Sequence, residues 1–537
     1  MRKLLLSAVA LSAFLTAEAQ IIKVNPQSMS CALYQRVDID VELQGEWQNP
    51  YRQEEAKLDM VVTTPDGKNS VVPAFYVEGE SGKVSHWAVR YTPQTSGQLT
   101  YFMRYTQPGL ESLSQSYHLN VNGVMGHGLL HAADNWTLRF DDGTPFRGIG
   151  ENICWESRAN DDSKYFKKLH EEHERFNYPA MLPKFAENGG NFVRLWICSW
   201  NFPIDKKDNF NNPRYEACEG PINPSAVKRL DETVSLCEQL GIKIMLCMGA
   251  GEARTNGEFF VNDEAVAAHR NRLRYIVARW GYSEAIAMWE FFNEIDNIQF
   301  RDRKNPIPAK DIVGWHAHMA RYIKSIDAFG HIVTTSISHR DLEGLNSVAD
   351  MDINQKHIYN QTTVIPKTIQ DYAQRFGKPY IIGEFGYEWD WSKNFDDFAG
   401  GMDMDFRRGL WYGLFSPTPV TPMSWWWEYF DNRNMQRFFR APALVSKEMI
   451  ESGKGSFVPC EASADCGQVY AVTCGPKTYV YLFNDSKRTM KSVRVEANGT
   501  LRELNIEKAI WGKGKKCAGS ISTSVAPNTE KVFVIDN

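Results

Sequence analysis

Two glutamates have sequence settings suited to chemistry. Glu294 follows AIAMWEFFN and Glu384 follows KPYIIG, so each carboxylate stands just past a run of apolar, strand-forming residues. Two carboxylates flanking one bond suit cleavage of a glycosidic linkage. One hands a proton to the leaving oxygen while the other meets the positive charge that develops at the anomeric carbon. Either motif alone is a weak signal. Asn-Glu after one apolar strand, followed later by Gly-Glu-Phe-Gly after another, is a specific one. Glu388 and Glu428 are further strand-end acids without such a context, and Glu151 and Asn152 end an earlier run. All four stay outside the catalytic pair.

For both carboxylates to reach one substrate, their strands must end on a common face, as they do at the carboxyl end of a (β/α)8 barrel. Over residues 147–451, apolar runs alternate with amphipathic helical stretches. The runs are FRGIGENI, NFVRLWI, IKIMLCMG, AIAMWEFF, IVTTSIS, INQKHIY, PYIIGEF and TPMSWWW, the eight strands that such a barrel needs. Between them, NPSAVKRLDETVSLCEQLG, EAVAAHRNRLRYIVARWG and DIVGWHAHMARYIKSIDAFG show helical spacing and each closes on glycine. Residues 21–122 hold short alternating strands such as VDIDVEL and HWAVRYTP, which predict an immunoglobulin-like β-sandwich. Residues 123–146 read as a linker and a β-hairpin turning at Asp-Asp-Gly-Thr. Beyond ESGKGSF, residues 452–537 return to short strands. The expected fold is multidomain: a central TIM barrel flanked by an N-terminal β-sandwich and a small C-terminal β-sandwich.

Arg2 and Lys3, the run LLLSAVALSAFL and Ala17-Glu18-Ala19 read as a signal peptide over residues 1–19, which predicts export to the periplasm or the medium. No later apolar stretch is long enough to span a bilayer, so no membrane insertion is expected. The net charge of -5 is spread over interspersed acids and bases, which gives no reason to expect a nucleic-acid partner and suits a neutral polymer. Cys154, Cys198, Cys237 and Cys247 lie alone in apolar runs and read as buried hydrophobes. Cys460, Cys466, Cys474 and Cys517 lack the paired spacing of zinc modules, leaving one or two disulfides or free thiols. With no phosphate-binding glycine loop and no metal-ligand cluster, neither cofactor nor metal is implied.

These residues carry a resemblance. Residues 147–451 resemble a retaining glycoside hydrolase of the large (β/α)8 clan that holds the family 5 cellulases and mannanases. In that clan an Asn-Glu pair ends the fourth strand and supplies the acid/base, and a glutamate ending the seventh is the nucleophile. Asn293 and Glu294 fall on the fourth run counted above and Glu384 on the seventh. The resemblance further implies that Arg194 is the clan's strand-two arginine, that His357 and Tyr359 are its strand-six pair, and that Trp425 or Trp427 is its sugar platform. Family 5 cellulases carry a histidine near the end of strand three, where this chain reads IMLCMGAGEAR. That departure leaves the glycan open. The N-terminal part resembles accessory domains that precede the barrel in some exported bacterial cellulases and mannanases.

Physical chemistry assigns roles alongside the resemblance. Arg194 is expected to lower the pKa of a nucleophilic Glu384, with Tyr359 orienting the same carboxylate. Glu294 is expected to start protonated among Trp289, Phe291 and Phe292. Asn293 suits the sugar 2-hydroxyl, and the carboxyl groups should lie about 5 to 5.5 Å apart. His357 reads equally as a substrate contact or a satisfied core histidine. Trp155, Trp196, Trp200, Trp389, Trp391 and the triple at 425–427 lie at or beyond strand ends, and strand alternation would send Trp425 and Trp427 to one side and Trp426 to the other. Three readings stand: an endo-acting β-1,4-glucanase or mannanase, an exo-acting β-glycosidase with the same carboxylate pair, or a secreted carbohydrate-binding protein without activity. In each the partner is a β-linked glycan.

Overall fold

The computed structural model describes residues 19–156, 177–205, 214–249, 255–388 and 394–537. The expected signal peptide, Trp389 and Trp391 lie outside them. The chain divides into two compact units, residues 1–123 and 124–537.

The first unit is built by two-residue alternation. In Val37–Gln44 every second side chain is buried, and Val84–Tyr91 follows the same rule. These strands join Gln20–Pro26 and Phe75–Glu78 in one four-stranded sheet. Ser30–Leu33, Tyr117–Val124, Gly97–Gln107, Lys57–Thr63, Asn69–Pro73 and Leu110–Leu113 form a second sheet. Val41, Leu43 and Val89 on one sheet, and Leu58, Met60, Leu99 and Met103 on the other, are all fully buried, the two-layer core of a sandwich.

The second unit holds the barrel. Its strands are Gly150–Asn152, Phe192–Trp196, Lys243–Cys247, Ile286–Glu290, the interrupted pair Ile332–Thr334 and Ser336–Ile337, Asn354–Tyr359 and Tyr380–Gly386. Neighbours pair in parallel, in chain order. The eighth member is residues 420–424, which bridges the first strand through Gly148–Val420 and Glu151–Ser424 and the seventh through Phe385–Ser424. That closes the ring. Strands two, three and four are buried at every position, as expected where helices cover the outer face.

The helices Pro224–Leu240, Asp263–Trp280 and Ala309–Ile326 match the helical stretches in sequence. The last stops at Asp327, short of Gly330, because the Asp327 carboxylate accepts from the Phe329 and His331 amides and from the Trp289 indole, tying the helix end to strand four. The run TPMSWWW is not a strand throughout. Strand pairing ends at Ser424 and a helix begins at Trp427, so alternation does not govern the tryptophans.

Leu138–Phe140 and Pro145–Phe146 form the hairpin and pair with Leu130–Ala132. Leu130 and Leu138 pack with Phe192, Met245, Met288, Ile332, Ile381 and Met423, so this small sheet plugs the amino end of the barrel. At the other end of the sequence, eight strands form one hydrogen-bonded sheet in which the long strand Met490–Asn505 pairs with Lys515–Val525 over one part and Glu530–Asp536 over another. Its core is Val480, Leu482, Met490, Ile521, Phe533 and Ile535. All ten cysteines are free thiols; of the two alternatives for the C-terminal group, the disulfide is not formed, with Cys474 and Cys517 buried and Cys460 and Cys466 half-buried. Among the described residues, no helix is long and apolar enough to cross a membrane.

Candidate active site

The structure brings Asn293, Glu294, Glu384, Arg194, His357, Tyr359 and Trp425 together at the carboxyl ends of strands two, four, six, seven and eight. Strand four ends at Glu290. The chain then runs through buried Phe291 and Phe292 to Asn293, whose amide donates to the Gly249 carbonyl at 2.7 Å, and to Glu294, whose amide donates to Ser336 Oγ at 2.9 Å. Glu294 adopts φ 49°, the left-handed region that a residue with a Cβ enters at a cost of about 1–3 kcal/mol. The flanking hydrogen bonds hold it there, immediately ahead of the helix Ile295–Gln299.

Glu384 lies within strand seven, and the glycines around it have physical causes. A Cβ on Gly383 would lie 1.7 Å from the Gln355 amide oxygen, and Gly386 has φ 144°. The Glu384 carboxylate is 3% exposed. Its Oε1 accepts from Arg194 Nη1 at 2.5 Å and its Oε2 from the Tyr359 hydroxyl at 2.5 Å. His357 Nδ1 stands 2.9 Å from Glu294 Oε1 and 3.3 Å from Glu384 Oε2. One oxygen of each carboxylate and this nitrogen all lie within 4.8 Å of one another. The same three atoms are spaced closely enough to share a metal ion, but the carboxylates are already engaged by Arg194, Tyr359 and Asn297.

Arg194 is fully buried and uses all five N–H groups of its guanidinium. Nε and Nη2 form a fork onto Glu290 at 2.6 and 2.8 Å, Nη1 reaches Glu384 and the Asn152 side chain, and Nη2 also donates to Asn293 Oδ1 at 2.8 Å. The last bond fixes the Asn293 amide, whose nitrogen has no partner among the described residues. Sequence reasoning passed over Glu290. The available signal was a charged residue inside a buried strand, which requires a buried partner of opposite charge.

The electrostatics run opposite to expectation. Burial raises the Glu384 carboxyl above its ordinary range and outweighs the lowering by His357 and Arg194. Burial also raises Glu294, but the hydrogen bond and charge of His357, together with the Ser338 hydrogen bond and the Arg194 charge, outweigh it and leave that carboxyl below its ordinary value. Two facts explain the reversal. Arg194 spends its fork on Glu290, and His357 stands closer to Glu294 than to Glu384.

Five indoles gather beside the carboxylates. Trp155 meets Trp196, Trp200, Trp425 and Trp427 at centroid distances of 4.8 to 5.6 Å. Trp425 is half-buried and presents surface, whereas Trp427 is 1% exposed and packs edge-on to Trp425. Trp427 therefore offers no face to a sugar in this structure. Trp426 turns away, its indole donating to the Tyr387 carbonyl at 2.7 Å. Glu388 is exposed and bonded to Asn360, Glu428 is buried in the helix Trp427–Asn432, and Glu151 is buried against Ser424. Asn152 lines the site, donating to the Gly383 and Met423 carbonyls.

Comparison with known proteins agrees with this geometry. Residues 159–397 match the family Cellulase (glycosyl hydrolase family 5), and residues 30–106 match a Domain of unknown function (DUF5060). The chain is 25% identical over 248 residues to a mannan endo-1,4-beta-mannosidase A of Podospora anserina, covering 39% of this chain and 64% of that protein. It is 25% identical over 187 residues to the enzyme of the same name from Aspergillus aculeatus, covering 32% and 46%. A solved protein of Bacteroides vulgatus ATCC 8482, itself provisionally named a glycoside hydrolase, superposes with a TM-score of 0.65 at 14% identity over 95% of this chain and 100% of its own, a likeness of fold. Over residues 159–397 the barrel is thus similar to glycosyl hydrolase family 5, and residues 30–106 ahead of it to the DUF5060 domain.

Proposed function

We propose that the chain hydrolyses a β-linked glycan with net retention, and that its substrate is a mannan-type β-1,4 backbone cut internally. The observation that carries the reading is the facing pair Glu294 and Glu384, with carboxylate oxygens within 4.8 Å across His357. That spacing suits direct attack by a carboxylate; inverting enzymes leave about 6.5–9.5 Å for a water. The names of the fungal relatives support mannan.

Glu384 Oε2 attacks the anomeric carbon while Glu294 gives its proton to the departing glycosidic oxygen. A water then enters, Glu294 takes its proton, the hydroxyl bonds the anomeric carbon, and Glu384 leaves as a carboxylate. Asn293, held by Arg194, donates to the 2-hydroxyl through its amide nitrogen. One proton shared between the two carboxylates suffices for the cycle. Burial raises the Glu384 carboxyl while His357 helps to lower that of Glu294, so the ligand-free site does not by itself favour the proton on Glu294. Catalysis requires that proton on Glu294 once the glycoside is seated.

The test is trapping with a 2-deoxy-2-fluoro glycoside followed by peptide mapping, beside reducing-sugar release from mannan, β-glucan, xylan and short oligosaccharides. A label on Glu384, with a ladder of oligosaccharide products from mannan, is expected. Label on Glu294 would exchange the two roles, single sugars as product would make the enzyme exo-acting, and neither label nor release from any glycan would leave a binding protein. Export is part of the proposal: the secreted protein should begin at Gln20, which N-terminal sequencing reads directly.

A further inference from the structure

Glu290 is fully buried at the end of strand four, four residues before Glu294. Its two oxygens take the Nε and Nη2 hydrogens of Arg194 at 2.6 and 2.8 Å, and Gln355 Nε2 donates to Oε1 at 3.2 Å. Arg194 in turn binds Glu384 at 2.5 Å through its far nitrogen. Two carboxylates thus share one fully buried guanidinium. We propose that Glu290 is a positioning residue that sets the strength of the Glu384 nucleophile: its fork locks the guanidinium plane, and its charge takes up half of the positive charge that would otherwise fall on Glu384 alone.

The inference rests on the reading of Glu384 as the nucleophile. A carboxylate facing an undivided arginine charge is a weaker base and a slower nucleophile, whereas one facing a shared charge keeps its reactivity in a buried site. The direction observed for Glu384, raised by burial in spite of Arg194 and His357, fits a divided charge. The other groups around Glu384 are Glu294, His357 and Tyr359, with the Cys154 thiol nearby. Around Glu290 they are the Cys247 and Cys154 thiols, both held well above their ordinary range by burial and so uncharged. No other charged group on these elements competes with Glu290 for the Arg194 fork among the described residues.

The test is the pH dependence of kcat/KM, together with the rate of fluoroglycoside labelling, for Glu290→Gln and Glu290→Asp. Glu290→Gln removes the competing charge, so the acid limb should move down by roughly one pH unit, and labelling of Glu384 should slow by about tenfold or more. Glu290→Asp keeps the charge but shortens the reach. Its acid limb should stay with the parent while labelling slows. A Glu290→Gln limb that coincides with the parent overturns the inference, as does Glu290→Asp labelling at the parental rate should Glu290→Gln fail to fold. If the parent is never labelled on Glu384, the nucleophile assignment itself has failed and this inference goes with it. A parent labelled on Glu384 with unmoved variants removes only the inference.

Discussion

His357 Nδ1 spans the two carboxylates, 2.9 Å from Glu294 and 3.3 Å from Glu384. A single ring nitrogen touching both groups couples their protonation, so pH profiles will report the pair and not either residue alone. The hydrogen bond and charge of this imidazole hold Glu294 low against its burial.

Replacing His357 with Ala leaves only the Ser338 hydrogen bond and the Arg194 charge against burial, and the Glu294 carboxyl climbs. A general acid works only while protonated, so the basic limb of kcat/KM should move to higher pH, with kcat reduced about tenfold or more at the parental optimum. An unshifted basic limb would show that Glu294 does not take its acidity from this contact.

Tyr359→Phe removes one donor from Glu384 Oε2. A hydrogen bond to a charged group contributes about 1.5–3 kcal/mol, so kcat should fall roughly tenfold to a hundredfold. The lost bond lowered the Glu384 carboxyl, so its pKa rises and the acid limb shifts upward, opposite to the direction expected of Glu290→Gln. Steady-state kinetics across pH distinguishes the two variants.

The indole cluster separates binding from packing. Trp425 is half-buried, so Trp425→Ala should raise KM for oligosaccharides roughly threefold to tenfold, the scale of one stacking contact, with a small change in denaturant midpoint. Trp427 is enclosed, so Trp427→Ala should cost about 3–5 kcal/mol in urea unfolding.

Glu151 is 1% exposed, and burial, reinforced by the charge of Asp431, holds its carboxyl well above the ordinary range. The unfolded chain loses that proton near pH 4.3. Stability attributable to the protonated folded form is therefore whole below that pH and declines as pH rises toward the folded value. Glu151→Gln removes the decline. Its melting temperature should match the parent near pH 4 and exceed it by a growing margin from pH 5 to 8, as differential scanning calorimetry would show.

Much of this architecture was legible because the signals were local. Apolar runs marked eight barrel members in order, and the two glutamates stood at the ends of the fourth and seventh. TPMSWWW was misjudged because a run of β-favouring indoles carries no mark of where hydrogen bonding stops; the stop is tertiary, at Ser424, where both neighbouring strands run out. The Cys460 to Cys517 group left two readings open because spacing along the chain says nothing of separation in the sheet. The net directions of the two carboxyl shifts were misread for a related reason. Sequence supplied Arg194 as a partner for Glu384 but not the competing claim of Glu290, and electrostatics inside a protein depends on every partner at once.

The buried guanidinium of Arg147 donates to the carbonyls of Leu414, Gly413, Ser416 and Thr418 and stacks between Trp136 and Phe457, with burial depressing its pKa to about 10. Those contacts draw the hairpin plug, the loop into the eighth barrel member and the first residues leading to the C-terminal sheet onto one side chain. Trp411 and Phe415 stack on Tyr481 of that sheet, and Arg407 pairs with its Glu530 at 2.6 Å. For gene rearrangement, this makes the tail inseparable from the barrel. A breakpoint near residue 452 would strip the Phe457 face from Arg147 and the Tyr481 contact from Trp411 and Phe415, so a barrel cut there should unfold more readily than the joined chain.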